Sequence, residues 1–253
     1  MSIFSVTAAN SLKSLFARMS PQDCALCGSA TSTTLCIDCE RGLPWSTGSL
    51  CPRCAEDVGQ QIESREITPV LCGLCVSNLP HFDRTITAFR YDFPVDRLIQ
   101  AYKFRANLAL TTMLAAALAG RVQAVAAQSQ AAQFCLPDLI LPTPLATKRL
   151  AERGFNQSAL LGREVAKRLG SAFSADGLQR VRETRPQSGL KRDERLKNVR
   201  GAFECVENVI GKRIAIVDDV MTTGATLSEV AKALKQNGAI YVEAWAVARA
   251  HHH

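Results

Sequence analysis

Two adjacent carboxylates, Asp218 and Asp219, close an apolar run, Ile214-Ala215-Ile216-Val217, and precede Met221-Thr222-Thr223-Gly224-Ala225-Thr226. The run is long enough for a buried parallel strand. Leu227, Val230, Ala231 and Leu234 then recur at the spacing of one helical face. Strand, acids, hydroxyl-rich loop and helix thus follow one another without a gap. Such a loop gathers free backbone N–H groups at the positive end of a helix dipole, and Gly224 lets the chain turn without a Cβ clash. Thr222, Thr223, Gly224, Ala225 and Thr226 suit a phosphate group. Asp218 and Asp219 suit the vicinal hydroxyls of a sugar. An ordinary capped turn would also use Thr and Asp, but it has no need of two adjacent acids ahead of T-T-G-A-T.

A second chemistry lies upstream. Eight of the ten cysteines form four C-x-x-C pairs: Cys24 with Cys27, Cys36 with Cys39, Cys51 with Cys54, and Cys72 with Cys75. Zinc takes four soft ligands in a tetrahedron, and two such pairs supply them, so eight thiolates suit two structural zinc ions. Sequential pairing closes the shorter loops and is preferred, giving a double zinc ribbon. Interleaving, with Cys24 and Cys27 joined to Cys51 and Cys54, is the alternative. A region this small folds on its metals. His81 is surplus to both quartets and is expected at the surface. Cys135 and Cys205 are expected as buried small hydrophobes.

The elements that position these groups can be followed along the chain. Residues 1–22 read as a short N-terminal segment, 23–79 as the zinc module with a polar tip at 55–71, 80–250 as the main domain, and 251–253 as a His tail left out of the fold. Arg84 to Tyr91 reads as a strand, and Pro94 opens a helix with Leu98, Ile99 and Tyr102 on one face. Leu108 to Val125 is an Ala-rich core helix carrying Leu110, Leu114, Leu118 and Val122. Pro137 to Leu141 is a short buried strand broken by Pro142-Thr143-Pro144, and the run from Lys148 ends at Gly170 as a helix. Alternating strands and helices give an α/β domain, in which ligands sit beyond the carboxyl ends of the strands. That rim would hold Asp218, Asp219, Arg149 and Arg153 together. Glu183 to Asn198 is a long polar loop of the kind that covers a site, with Arg182, Arg185, Lys191, Arg192 and Arg195 available to an anion or a nucleic-acid backbone. Ile240 to Val247 is a last alternating strand.

Net charge is +7 and unevenly placed: residues 145–200 hold 14 Lys and Arg against 6 Asp and Glu, an excess of +8, and the remainder sums to −1. A basic region suits a polyanion such as pyrophosphate or nucleic acid. No stretch approaches the ~18 uninterrupted apolar residues of a membrane span, and membrane insertion is not expected.

Val217 to Thr226 resembles the phosphoribosyl pyrophosphate (PRPP) signature of type I phosphoribosyltransferases. Taken with the four cysteine pairs, Phe82-Asp83-Arg84, Tyr102-Lys103-Phe104-Arg105, Arg153-Gly154-Phe155-Asn156-Gln157 and Asn198-Val199-Arg200-Gly201-Ala202-Phe203, the chain resembles the ComF family of competence proteins. The resemblance runs from Cys24 to about Arg249. It implies a type I phosphoribosyltransferase-like fold, a mostly parallel twisted sheet flanked by helices, with an N-terminal zinc-ribbon module. It further implies a cytoplasmic protein of natural transformation or DNA uptake that binds PRPP with Mg²⁺, single-stranded DNA and, in some species, a helicase partner. Asp218, Asp219 and Arg149 would then be catalytic, and Arg149, Arg153 and Arg192 would neutralise pyrophosphate. Purine-salvage relatives carry an acid just before the loop's Thr-Gly; Thr222 stands there instead, so the resemblance favours PRPP binding over any particular transfer. A non-catalytic DNA- or helicase-binding adaptor on the same fold is the alternative.

Overall fold

The computed structural model describes residues 22–59, 70–104, 108–128, 135–184 and 192–251. Nearly all of the N-terminal segment, most of the ribbon tip, Arg185 and Lys191 lie outside them. The chain forms two compact units, Met1–Leu43 and Pro44–His253. The boundary runs between the two cysteine quartets, so the module expected at 23–79 spans both units.

In the smaller unit, β1 (Gln22–Asp23) pairs antiparallel with β2 (Ala30–Thr31), and α1 (Ile37–Arg41) follows. Its first turn is a knuckle: the Gly28 amide donates to the Cys24 carbonyl at 2.9 Å, with Gly28 at φ +74°.

The larger unit continues with α2 (Gly73–Ser77), β3 (Arg84–Arg90), α3 (Val95–Phe104), α4 (Leu108–Gln128), β4 (Leu139–Pro142), α5 (Thr147–Arg153) and α6 (Gln157–Leu169). It then runs through β5 (Ala172–Phe173), β6 (Leu178–Arg180), α7 (Arg192–Val199), β7 (Phe203–Cys205), β8 (Arg213–Met221), α8 (Ala225–Gln236) and β9 (Tyr241–Arg249). Five strands form one parallel sheet in the order β3-β9-β8-β4-β5. Helices cover both faces, which is why every residue of β9 from Val242 to Arg249 is buried, with none of the half-exposed alternation expected of it. The core helix is as expected: Leu110, Leu114, Leu118 and Val122 of α4 are buried, each contributing about 1.5–3 kcal/mol. Ala109–Gln128 has the length and composition of a membrane span, yet this face is spent on the domain core.

Four local features depart from the sequence expectations. Lys148 to Gly170 is two helices, because Gly154 ends α5 in the left-handed region at φ +75° and Asn156 caps α6 through bonds from the Ser158 and Ala159 amides. Within 183–198, Arg192–Val199 is helical, and β6 and β7 form a separate antiparallel ribbon. Cys135 is exposed and Cys205 is half-buried, so neither is a core residue. His251 belongs to the fold: its side chain is 10% exposed, its Nδ1 accepts from the Asp57 amide at 3.3 Å, and Glu56 Oε1 lies 3.5 Å away. His81 is exposed, as expected.

Both tryptophans belong to this unit. Trp245, in β9, is fully buried and donates its indole N–H to Glu243 at 2.7 Å. Trp45 stacks on Phe89 of β3 with ring centroids 4.6 Å apart.

Candidate functional site

Three strand ends converge at the carboxyl edge of the sheet. β8 runs on through both acids to Met221, so the expected loop begins one residue later, at Thr222. Gly224 enters α8 at φ +74°, a left-handed conformation that strains any residue with a Cβ; the Met221 methyl, 2.7 Å from where that Cβ would stand, can swing aside. The Gly224 carbonyl takes the Ser228 amide at 2.8 Å, and Thr223 Oγ1 accepts from the Ala225 amide at 3.4 Å. The result is a tight loop at a helix N-terminus, the arrangement that receives anions.

The two acids face different partners because successive strand residues point to opposite faces. Asp218 Oδ1 accepts from Ser158 Oγ at 3.0 Å and from the Asp219 amide at 2.9 Å. Asp219 pairs with Lys103 Nζ at 3.1 Å. Burial, and then the neighbouring Asp219 charge, push the Asp218 carboxyl up to about 7, against the Ser158 hydroxyl and Lys103. A half-buried carboxyl poised near neutrality is a common mark of a functional position.

The helices supply the partners through a short relay. Asn156 uses its oxygen to cap α6, which brings Ser158 to Asp218, and its amide donates to the Thr143 carbonyl at 3.1 Å, fixing the Pro-Thr-Pro turn. Tyr102 donates to the Gln157 carbonyl at 2.7 Å from a fully buried position. That anchors α3 against α6 and turns Lys103, the next residue, to Asp219.

These groups line a cleft of about 550 Å³. Its walls carry Lys103, Lys148, Arg149, Arg153, Arg180 and Arg195, facing the acids and the Thr222–Thr226 loop. Arg195 Nη1 donates to Thr222 Oγ1 at 3.1 Å. Burial, and then the charges of Arg149 and Arg182, hold the Arg180 guanidinium below its ordinary value. Cations crowded this way favour an anion between them. Among the described residues, Thr143 Oγ1, Arg153 Nη1, Gln157 Oε1 and Arg180 Nε line the cleft buried and without a hydrogen-bond partner. Such atoms are costly unless a ligand or water satisfies them.

The cysteines group sequentially. Within Cys24, Cys27, Cys36 and Cys39, and within Cys51, Cys54, Cys72 and Cys75, the four sulfurs lie within 4.8 Å of one another. A tetrahedron of ~2.3 Å Zn–S bonds has S···S edges of about 3.8 Å. Cys27 to Cys36 measures 3.7 Å and Cys54 to Cys72 measures 3.5 Å, so each quartet fits one structural zinc ion. Burial opposes the Cys24 thiolate, but the amides of Cys27, Cys36 and Leu26 outweigh it and bring the thiol down to about 6. Burial, and the nearby thiolates, push Cys54 up to about 12 and Cys75 up as well, a crowding that a dication relieves.

The second quartet is built into the sheet. Arg53, inside the Cys51–Cys54 knuckle, donates to the Phe82 carbonyl at 2.9 Å and to Asp83 at 3.2 Å. Asp83 also accepts from Lys235 at 2.7 Å and from the Val242 amide at 2.8 Å. Arg84 pairs with Glu243 on the neighbouring strand. Phe82-Asp83-Arg84 is thus a strut joining knuckle, sheet and α8.

Asp218, Asp219, Thr222, Gly224, Ala225, Thr226, Arg149 and Arg153 all line one cleft. Thr223 lines a smaller void beside it. Arg192 opens α7, and its side chain lies outside the described residues; Arg195, three positions on, donates to Thr222 Oγ1. Lys103, Ser158, Arg180 and Tyr91 were not singled out from sequence. The Tyr-Lys-Phe-Arg and Arg-Gly-Phe-Asn-Gln motifs held the signal for Lys103 and Ser158. Arg180 and Tyr91 carry none.

The phosphoribosyl transferase domain matches residues 156–253, and the double zinc ribbon domain matches residues 15–76. The chain is 35% identical over 216 residues to the DNA utilization protein YhgH of Salmonella typhi, covering 85% of this chain and 90% of that protein. It is 31% identical over 224 residues to competence protein F of Haemophilus influenzae, covering 85% and 96%. It is 27% identical over 242 residues to competence protein ComFC of Streptococcus pneumoniae, covering 89% and 99%. With these full-length likenesses, a parallel phosphoribosyltransferase-type sheet and two zinc-binding quartets, the chain belongs to the ComF family of competence and DNA-utilisation proteins.

Proposed function

We propose that the cleft binds PRPP together with Mg²⁺ and that the chain is a phosphoribosyltransferase serving DNA uptake or utilisation. One observation carries this reading: Asp218 and Asp219 stand near the end of a central strand, the tight Thr222–Thr226 loop follows it, and Arg149, Arg153 and Arg180 line the same cleft. The loop's N–H groups and hydroxyls would take the 5′-phosphate, and the two acids the ribose hydroxyls. Arg149, Arg153, Arg180 and Arg192 would take the pyrophosphate. Mg²⁺, held mainly by PRPP's own oxygens, would neutralise part of the diphosphate charge. In transfer, the bond from the anomeric carbon to pyrophosphate breaks with its electron pair on the leaving group, and an acceptor nucleophile bonds to that carbon. This chain's contribution is preorganised positive charge at the leaving group and positioning of the ribose. In this reading residues 23–79 are the zinc module and 80–250, with His251, the transferase domain, acting in the cytoplasm.

The test is calorimetric titration of PRPP and Mg²⁺ into the wild type and into Asp218→Asn with Asp219→Asn. The double variant should lose binding; equal affinity in the two proteins would defeat the reading. A pyrophosphate-release assay across free bases and oligonucleotides then identifies the acceptor.

A second observation favours nucleic acid as a further ligand. Arg163, Lys167 and Arg168 are exposed on α6 and do not line the cleft, so part of the basic excess lies outside it. Single-stranded DNA on that face, with a helicase or other uptake protein as partner, would make the chain an adaptor as well as, or instead of, an enzyme. Binding should weaken steeply with salt, since each phosphate contact releases a counterion. No DNA affinity at low salt would end this reading.

A further inference from the structure

We infer that Arg249 is a positioning residue which makes the second cysteine quartet a support of the phosphate loop, so that zinc at Cys51, Cys54, Cys72 and Cys75 is energetically coupled to anion binding at Thr222–Thr226. The ligand side of this inference rests on the PRPP reading above; the support itself does not.

Arg249 is the last residue of β9 and is 1% exposed. Its guanidinium divides its donors between two places. Toward the knuckle, Nε donates to the Cys54 carbonyl at 2.9 Å and Nη2 to the Glu56 carboxylate at 2.6 Å. Toward the loop, Nη1 donates to the Met221 carbonyl at 3.2 Å and to the Thr222 carbonyl, sharing its two hydrogens with the carbonyl of Ala250. A planar fork with five N–H groups can hold this set; an ammonium with three donors at one point cannot.

The geometry on each side matters. In a trans peptide the carbonyl and the following N–H point in opposite directions. Drawing the carbonyls of Met221 and Thr222 to Arg249 therefore turns the N–H groups of Thr222 and Thr223 away from it. Arg249 lines the smaller void of about 270 Å³ shared by the Cys54 knuckle and α8, and does not line the cleft. The side chain thus orients the donors an anion would use without touching the anion.

The knuckle end has the shape that a metal at the four sulfurs would fix. The Ala55 amide donates to the Cys51 carbonyl at 2.9 Å and the Cys51 amide to the Glu56 carbonyl at 2.8 Å. Ala55 sits in the left-handed region at φ 53°, a conformation that is strained for a residue with a Cβ. Four ligands closing on one ion can hold that conformation; without it the Cys54 carbonyl and Glu56 lose their reason to face Arg249. A second contact runs in parallel: fully buried Phe82, held by Arg53 of the knuckle, lies 3.6 Å from where a Gly224 Cβ would stand.

Full-length wild type, Arg249→Lys and Glu56→Gln test this by amide hydrogen exchange with zinc analysis on the same samples. Arg249→Lys should keep two zinc ions, while exchange across 222–226 rises at least tenfold and exchange across 214–217 stays unchanged. Should that variant fail to fold, Glu56→Gln, which leaves the guanidinium in place and loosens one end, should raise loop exchange about threefold. Coupling is reciprocal, so PRPP with Mg²⁺ should slow transfer of zinc from the second quartet to a chelator in the wild type and not in Arg249→Lys. Loop exchange within twofold of wild type in the folded variants would overturn the inference. A wild type whose loop depends on Arg249 but which has no affinity for PRPP upholds the support and removes the PRPP reading instead.

Discussion

Lowering the pH from 8 to 6 perturbs one group in the cleft more than any other. Asp218 is pushed up to about 7 from its ordinary 3.8, first by burial and then by Asp219. At pH 8 about nine-tenths of it is ionised, and at pH 6 about one-tenth. If the ribose and its metal need the carboxylate, apparent affinity scales with that fraction and should fall about tenfold over the interval. The ligand's own phosphates also titrate near pH 6, so wild type alone does not isolate Asp218. Ser158→Ala does. The Ser158 hydroxyl favours the ionised form at 3.0 Å, and its loss should move the midpoint of the affinity profile upward while the ligand's titration stays put. Calorimetry from pH 5.5 to 8.5 on both proteins gives the two curves. Superimposable profiles would refute the assignment. Linkage adds a sign for stability. The folded pKa is raised, so Asp218's favourable contribution to the apo fold is present below pH 3.8 and is lost as pH rises through about 7.

Three further outcomes are expected. Elemental analysis should find two zinc ions per chain, falling to one in Cys27→Ser with Cys36→Ser; one ion in the wild type would show that a single quartet is a site. Asp83→Asn should lower stability by about 2–3 kcal/mol in denaturant melts, because a mostly buried carboxylate with two cationic partners is lost; a change under 0.5 kcal/mol would show that the strut is idle. Burial opposes the Asp83 charge, but Lys235, the Val242 amide and Arg53 hold it below 3.8, so its contribution is present above that pH and lost as pH falls through the lowered value. Gly224→Ala should cost about 1 kcal/mol from the φ +74° conformation, and should weaken phosphate binding; unchanged affinity would show that the loop tolerates another path.

What was legible in the sequence had short range. Ile214 to Leu234 announces strand, acids, loop and helix because every part acts on its chain neighbours, and the four C-x-x-C pairs announce metal for the same reason. The quartet pairing was also readable, since closing short loops costs least. Lys103 and Ser158 were harder: each reaches its acid only after Tyr102 anchors α3 and Asn156 caps α6, contacts between residues 55 and 60 positions apart. Arg180 was illegible, because nothing near it in sequence says that the β6–β7 ribbon faces the cleft. The paired helices at 147–169 were read as one run ending at Gly170, because Gly154 stood inside the Arg-Gly-Phe-Asn-Gln motif and its left-handed stop shows only in the backbone.

The stack of Trp45 on Phe89 and the bond from Trp245 to Glu243 have a practical consequence. The chain has two tryptophans, and both sit on the sheet of the larger unit. Intrinsic fluorescence is therefore an optical gauge of that unit alone. During chelation, loss of metal from Cys24, Cys27, Cys36 and Cys39 should proceed in the dark, and the emission shift should follow the other four thiols. The order in which the two ions leave can be read by comparing one fluorescence trace with one chelator trace, without labelling the protein.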